Sequence, residues 1–257
     1  MSFRIYEINT PQYLFYKEMH ENQTLEFVRK KRKQYSSLEN HKMTMKGALL
    51  MMDSFIDPSD PDLDSENSIH AYQTAEKIRE KYPDNKEFQI IGLIHDLGKI
   101  LLSFGEPSWT VVGDTYVVGC KFPESIVYYD TLKTNPDFNK YNELGIYDEY
   151  CGLKNLHLSY GHDEYLYQIL KQNKNHKISE KYMNVIRFHS FYPWHTGGDY
   201  RQFMNESDKE ILKDVLEFNK FDLYSKKDDT NISSEIRQYY EEILNEYFPN
   251  EMLTAKL

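Results

Sequence analysis

Four histidines and two aspartates of this sequence occur at helical spacing from large apolar residues. His95 and Asp96 form a pair within an apolar segment, between Ile94 and Leu97. The other four flank or follow apolar stripes in a similar way, so that a helix would turn them inward. A buried imidazole or carboxylate costs free energy unless it is hydrogen-bonded, paired or bound to a metal. The six residues are His70, His95, Asp96, His162, His189 and Asp222.

A shared metal centre accounts for all six residues at once. Taken singly, each histidine is more often a hydrogen-bonded core residue than a ligand, but six separate polar burials would be costly. The set has nitrogen and oxygen donors and no thiolate, which suits iron, manganese or zinc. Six ligands are too many for one catalytic ion with open positions, so we expect two ions. We expect no metal role for the histidines in polar or loop contexts, which are His20, His41, His157, His176 and His195.

The elements that must position these residues are mostly helices. Apolar residues recur at helical spacing in most segments, and Pro83 and Pro193 follow two of them as stop signals. Residues 1–22 look irregular, 56–64 read as a loop, and β-branched pairs around Gly113 predict a β-hairpin at 110–118. The fold class is therefore mostly α with a small β-hairpin. Helices are predicted at 23–34, 43–55, 65–82, 87–104, 162–173, 179–191 and, after a capping box from Ser207 to Glu210, at 207–219.

Composition limits the classes of function that remain. The chain has 257 residues and a formal net charge of −10, so it has no overall field to attract nucleic acid or an anionic membrane. Five consecutive cations at 29–33 spread around a helix and fit a solvated helix end. The chain has only two cysteines, and it contains neither a long apolar run nor an apolar N-terminal core. We therefore expect a cytoplasmic single-domain protein over residues 1–257. No heptads occur, so we expect a monomer.

The order of these motifs resembles the inositol oxygenase family, whose members are di-iron proteins of the HD-domain superfamily with a helical core. The likeness runs from about residue 3 to 248 and includes long stretches in the same order. These stretches are Asp57-Pro-Ser-Asp-Pro-Asp62, His95-Asp-Leu-Gly-Lys99, Phe104-Gly-Glu-Pro107, Val112-Gly-Asp-Thr115, Gly161-His-Asp-Glu-Tyr165, Arg187-Phe-His-Ser-Phe-Tyr-Pro-Trp-His-Thr196 and Glu217-Phe-Asn-Lys-Phe-Asp-Leu-Tyr224.

The resemblance implies a site and a reaction. The family's two non-haem irons fall on the six residues above, with Asp96 bridging them, and Lys99 and Asp96 are the expected catalytic residues. The family cleaves the ring of myo-inositol with dioxygen to give D-glucuronate and water, and residues 1–22 are expected on or near the active site. The expected substrate contacts are Arg4, Asp57, Asp60, Lys99, Gly113, Asp114, Ser190 and Lys226.

Two other functions remain open at this point. The same scaffold also supports metal-dependent phosphohydrolases, in which the metals activate water. The carboxylate-rich loop after residue 56 disfavours an anionic substrate of that kind. A metal-binding protein without catalysis would have lost a ligand, and none is missing. Lys99 lies one turn beyond His95, so we expect the two cations to lower its pKa unless an aspartate or the substrate offsets them.

Overall fold

The fold is mostly α-helical, as the sequence predicts. The computed structural model describes residues 10–36, 41–59, 67–222, 232–250 and 252–254, and the side chains of His41 and 252–254 are not described. Its helices are α1 (Pro11–Asn22), α2 (Leu25–Gln34), α3 (Met45–Met51), α4 (Asn67–Lys81), α5 (Lys86–Ile94), α6 (His162–Gln172), α7 (Glu180–Phe188), α8 (Tyr192–His195), α9 (Asp208–Asp222) and α10 (Ser234–Tyr247). Short 3₁₀ helices cover Met52–Ser54, Leu97–Phe104, Ser108–Thr110, Tyr129–Thr134, Leu153–Asn155 and Arg201–Phe203.

One small antiparallel sheet joins β1 (His41–Met43) to β2 (Met252–Thr254). The helices pack around a single apolar core in which α4, α5, α6, α7 and α9 lie against one another. No helix among the described ranges is long and apolar enough to cross a membrane.

The predicted β-hairpin at 110–118 is wrong. Residues 108–110 form a 3₁₀ turn, and Val117 makes only an isolated bridge to Leu158. The β-branched residues are buried, but their backbone groups bond to other segments instead of to each other. These hydrogen bonds are His162 N to Val111 O, Thr115 N to Ser190 O, Ser159 N to Tyr116 O and Val118 N to His157 O.

The prediction of a continuous helix over 87–104 is also wrong. α5 ends at Ile94, His95 caps it, and a 3₁₀ helix begins at Leu97. Gly98 lies so close to α6 that a Cβ there would be 2.1 Å from the His162 carbonyl oxygen. Over eight residues, apolar spacing does not distinguish 3.6 from 3.0 residues per turn, so periodicity alone misses the break.

Residues 11–22 form a helix that the sequence analysis did not predict. The Thr10 side chain accepts a hydrogen bond from Tyr13 N, and Pro11 occupies the first turn. The buried face of α1 consists of Phe15, Tyr16, Met19 and His20. Tyr and His give only a weak apolar signal, which is why this amphipathic face was not recognised.

The capping box of α9 lies two residues before its predicted position. Asn205 Oδ1 accepts hydrogen bonds from Ser207 N at 3.0 Å and Asp208 N at 3.3 Å. In return, Asp208 Oδ2 accepts one from Asn205 N at 2.9 Å. Asn205 and Asp208 therefore form the reciprocal pair, and Ser207 takes no part as the cap.

A buried ion pair ties α6 to α7. The Arg187 side chain is 1% exposed, and its Nε donates to Glu164 Oε2 at 2.7 Å. Arg32 Nε of α2 lies 3.3 Å from the other oxygen of Glu164. Because breaking a buried pair leaves an uncompensated charge, these contacts hold the ends of α6 and α7 in one relative position.

His20 makes the stability of α1 depend on pH. Its Nδ1 lies 2.6 Å from Thr131 Oγ1, which itself donates to Tyr128 O, so His20 Nδ1 is the donor. Its Nε2 is buried without a partner among the described residues. Burial lowers the pKa of His20 to about 3, because the charged form would lose its hydration.

We expect the His20→Asn variant to lose part of the pH dependence of unfolding. Since the unfolded chain takes up this proton near pH 6.5 and the folded chain only near 3, stability falls as pH drops through that window. One proton corresponds to about 1.4 kcal/mol per pH unit, which His20→Asn should remove. Urea unfolding between pH 7 and 4 measures the slope. Thr131→Val is the control, because it removes the hydrogen bond but no titrating group; an unchanged slope in His20→Asn would contradict the assignment.

Candidate metal centre

Five helical segments bring the six predicted ligands to one place. His70 lies on α4, the His95–Asp96 pair at the end of α5, His162 at the start of α6, His189 just after α7 and Asp222 at the end of α9. His95, Asp96, His162 and His189 are buried, and His70 and Asp222 are half-buried. Three overlapping groups have ligand atoms close enough to hold an ion, and the third includes one aspartate outside the six: His70, His95 and Asp222; His95, Asp96 and His189; and His162, Asp163 and His189.

The first group is His70, His95 and Asp222. Asp222 Oδ1 lies 3.0 Å from His70 Nε2 and 3.3 Å from His95 Nε2. Burial disfavours the Asp222 carboxylate, but the neighbouring His95 and His70 hold its pKa well below the usual value. One carboxylate oxygen thus converges with two imidazole nitrogens, which is an arrangement suited to one cation.

Asp96 is the centre of the second group, with His95 and His189, and it also contacts His162. Asp96 Oδ1 lies 3.1 Å from His162 Nε2 and 3.5 Å from His189 Nε2. The other oxygen, Oδ2, lies 3.5 Å from His95 Nε2 in the first group. The two oxygens of one carboxylate therefore face two different histidine groups.

Three of the histidine rings are oriented by the backbone. Nδ1 of His95, His162 and His189 each lies 2.8 Å from a carbonyl oxygen, of Gly92, Val111 and Ile186 respectively. A carbonyl only accepts, so each Nδ1 carries the proton and each Nε2 points into the centre. This is how metal-binding histidines are commonly held.

The arrangement fits a metal better than it fits a hydrogen-bonded core. His162 Nε2 and His189 Nε2 lie 3.4 Å apart, so without a cation between them one of the two rings needs a second proton. Against burial, Asp163 and Asp96 raise the pKa of His162 to about 10, which shows how strongly the site attracts a positive charge. A metal cation could take the place of that proton beside the two carboxylates, so these residues could bind metal.

Lys99 lies between two carboxylates beside the second group. Its Nζ is 2.8 Å from Asp57 Oδ2 and 2.8 Å from Asp96 Oδ2. Burial disfavours the ammonium, but both aspartates more than offset this and raise the pKa of Lys99 above its usual value. The aspartates that the sequence analysis considered as an offset to the two cations are thus in direct contact with Lys99.

The structure also places three more of the expected substrate contacts near one another. Asp114 Oδ1 accepts from Tyr16 OH at 3.1 Å, so α1 lies against this loop. Gly113 has φ +95°, and a Cβ there would be 2.9 Å from the Phe15 ring. Ser190 directly follows His189 and its carbonyl accepts from Thr115 N, next to Asp114. Arg4, Asp60 and Lys226 lie outside the described residues.

Sequence analysis missed Asp163, which completes the third group with His162 and His189. It is 1% exposed, and its Oδ1 lies 2.8 Å from His162 Nε2. One signal could have found it: His162–Asp163 repeats the pair His95–Asp96.

The contexts assigned to His20 and His195 were wrong. Both are buried, and His195 Nε2 lies 2.9 Å from the His189 carbonyl oxygen.

Comparisons with known proteins agree on one family. Residues 12–254 match the family model described as myo-inositol oxygenase. The chain is 52% identical to inositol oxygenase of Mus musculus over 238 residues, which cover 91% of this chain and 83% of the relative. It is 49% identical to inositol oxygenase of Homo sapiens over 91% of this chain and 83% of the relative. It is 46% identical to inositol oxygenase 1 of Arabidopsis thaliana over 93% of this chain and 78% of the relative.

We expect Gly98→Ala to weaken metal binding. The added Cβ would force α6 away from the 3₁₀ helix and so move His162 away from Asp96. Disturbing the support of a metal ligand typically costs about 10- to 100-fold in metal affinity. Metal per chain after dialysis against a fixed free concentration measures the effect. Gly47→Ala on α3 is the control, since its Cβ meets only a threonine side chain and a methionine side chain. Wild-type metal content in Gly98→Ala would contradict this role.

Proposed function

The chain belongs to the myo-inositol oxygenase family, and we propose that it cleaves a ring C–C bond of myo-inositol on a centre of two irons. As a member it is an inositol oxygenase, an oxidoreductase. The proposed reaction consumes one dioxygen and gives D-glucuronate and water. The observation that carries the proposal is that Asp96 presents its two oxygens to two separate histidine groups.

Two irons are proposed because the six ligands divide into two sets around Asp96. His70, His95 and Asp222 form one set, and His162 and His189 the other. Nitrogen and oxygen donors without thiolate are compatible with iron. Iron, when bound, would supply the redox chemistry that activation of dioxygen requires. Asp96 would act by bridging the ions and fixing their separation.

The proposed substrate-binding residues suit a neutral polyol. Asp57 and Asp114 are acceptors, and the Lys99 ammonium, held by Asp57 and Asp96, can donate to a substrate oxygen. Such polar groups reject analogues that lack a hydroxyl, because the groups would then be left unpaired. The remaining proposed contacts are Gly113, Ser190 and, outside the described residues, Arg4, Asp60 and Lys226.

The segment at 111–115 is proposed as the cover that excludes water from this site. It is held by α1 through Tyr16 and by Ser190 through Thr115 N. Exclusion of water protects a reactive centre from side reactions.

We further propose that the chain is one domain over residues 1–257 and acts as a monomer in the cytoplasm. The N-terminal segment contributes α1, which packs beside Asp114. Exposed large apolar residues in the described ranges are scattered on several elements. Cys120 and Cys151 are both free thiols, which agrees with a reducing compartment.

Replacing iron with zinc separates the oxygenase from the phosphohydrolase on the same scaffold. Zn²⁺ has no redox chemistry, so we expect zinc-loaded protein to lose turnover while keeping its fold. The iron-loaded protein should consume dioxygen in step with myo-inositol and place one labelled oxygen atom from ¹⁸O₂ in the new carboxylate. Zinc-loaded protein that hydrolyses a phosphate ester, or label entering only from water, would overturn the proposal.

Lys99→Met should remove activity without removing metal. The six ligands remain, but the donor toward the substrate is lost, and such groups contribute about 10²–10⁴-fold to rate. Lys140→Met is the matched control, because Lys140 also pairs with a buried aspartate three residues earlier, Asp137, at 2.8 Å. Turnover and iron content are measured for both variants. Normal turnover in Lys99→Met would show that the assigned role is wrong.

A further inference from the structure

We propose that Asp163 is a positioning residue that makes Ser190 a hydrogen-bond acceptor toward a substrate hydroxyl. The inference rests on the proposed function, in which Ser190 is a substrate contact. Asp163 lies on the first turn of α6, and Ser190 lies two residues beyond the end of α7. Nothing in the metal centre or in the proposed substrate set uses Asp163 in this way.

Both oxygens of Asp163 accept hydrogen bonds from Ser190, and Oδ1 also lies 2.8 Å from His162 Nε2. Oδ1 accepts from Ser190 Oγ at 3.2 Å, and Oδ2 accepts from Ser190 N at 3.3 Å. Asp163 is 1% exposed and Ser190 is 8% exposed, so water does not compete freely for these bonds. The backbone N–H of Ser190 can only donate, so Oδ2 is an acceptor, and the ordinary form of an aspartate near neutral pH is the ionised carboxylate.

The direction of this hydrogen bond fixes what Ser190 can offer a ligand. A serine hydroxyl has a single proton, and an ionised carboxylate only accepts. When the proton of Ser190 is directed at Asp163, only lone pairs of Oγ remain for another partner. Ser190 therefore acts as an acceptor, which selects a ligand group that carries a proton, such as an alcohol.

Asp163 also links the metal ligands to the loop beside the substrate. It directly follows His162, whose backbone N and Nδ1 both bond to Val111 O. Ser190 O accepts from Thr115 N at 2.8 Å, one residue after Asp114. One end of the segment at 111–115 is thus attached to His162, next to Asp163, and the other end to Ser190 itself, which holds Asp114 close to Ser190.

A double-mutant cycle tests whether Asp163 acts through Ser190. The variants are Asp163→Ala, Ser190→Ala and the combination of both, each loaded with iron, and the measurement is the dissociation constant for myo-inositol. We expect each single change to weaken binding about tenfold, as loss of one hydrogen bond to a buried group does. The double variant should be weakened about as much as either single one, because both changes remove the same contact. Multiplying effects, near a hundredfold, would overturn the proposal.

Iron content distinguishes positioning from ligation. Asp163 Oδ1 lies 2.8 Å from His162 Nε2, near enough for a direct bond to a metal held there. The proposal expects Asp163→Ala to keep the wild-type iron content and to raise KM much more than it lowers kcat. Loss of iron in this variant would overturn the proposal and make Asp163 a ligand.

The amide variant keeps the test valid if Asp163→Ala does not fold. Asp163→Asn is nearly isosteric but has one acceptor oxygen for two donors of Ser190, so inositol binding should still weaken. The matched control is Asp137→Asn, another buried aspartate that accepts from Leu25 N at 2.8 Å, with inositol affinity expected to be unchanged. Wild-type affinity in Asp163→Asn would also overturn the proposal. Failure of the unmodified protein to oxidise inositol would instead refute the proposed function.

Discussion

The carboxylate of Asp96 is the interaction on which the rest of the site depends. It stands where α5 stops and a 3₁₀ helix begins, so its side chain reaches both histidine groups and the Lys99 ammonium. If the α-helix continued past Ile94, the side chains after Asp96 would point in different directions. The missing Cβ of Gly98 permits the close approach of α6, and that approach brings His162 to Asp96. Backbone geometry and metal chemistry are thus decided at the same residues.

The surrounding structure compensates a large concentration of charge. Asp96, Asp163 and Asp222 are all ionised inside the protein, where an unpaired carboxylate would be costly. Imidazole nitrogens and the Lys99 ammonium lie against these oxygens, and Nδ1 bonds to backbone carbonyls fix the ring orientations. The buried pair of Arg187 and Glu164 then holds α6 against α7. Rigid support of this kind is what a metal centre requires.

Much of the metal site could be predicted from the sequence. The six residues proposed as ligands lie close together in the structure, because inward spacing on helices is a local property that survives in the folded chain. Predictions from local sequence patterns failed where contacts between distant segments determine the backbone conformation. The β-branched pairs around Gly113 form no hairpin because their backbone partners are His162, Ser190, Ser159 and His157, which lie far along the chain.

The sequence by itself determined the helical class, the family and the residue types of the centre. Only the tertiary structure decided which oxygen of Asp96 faces which histidines, that two aspartates offset the desolvation of Lys99, and that Asp163 faces Ser190. The physical reason is that helical periodicity gives only the face on which a side chain lies. Hydrogen-bond direction and the sign of a pKa shift depend on atoms a few ångströms away, and these atoms come from segments distant in the sequence.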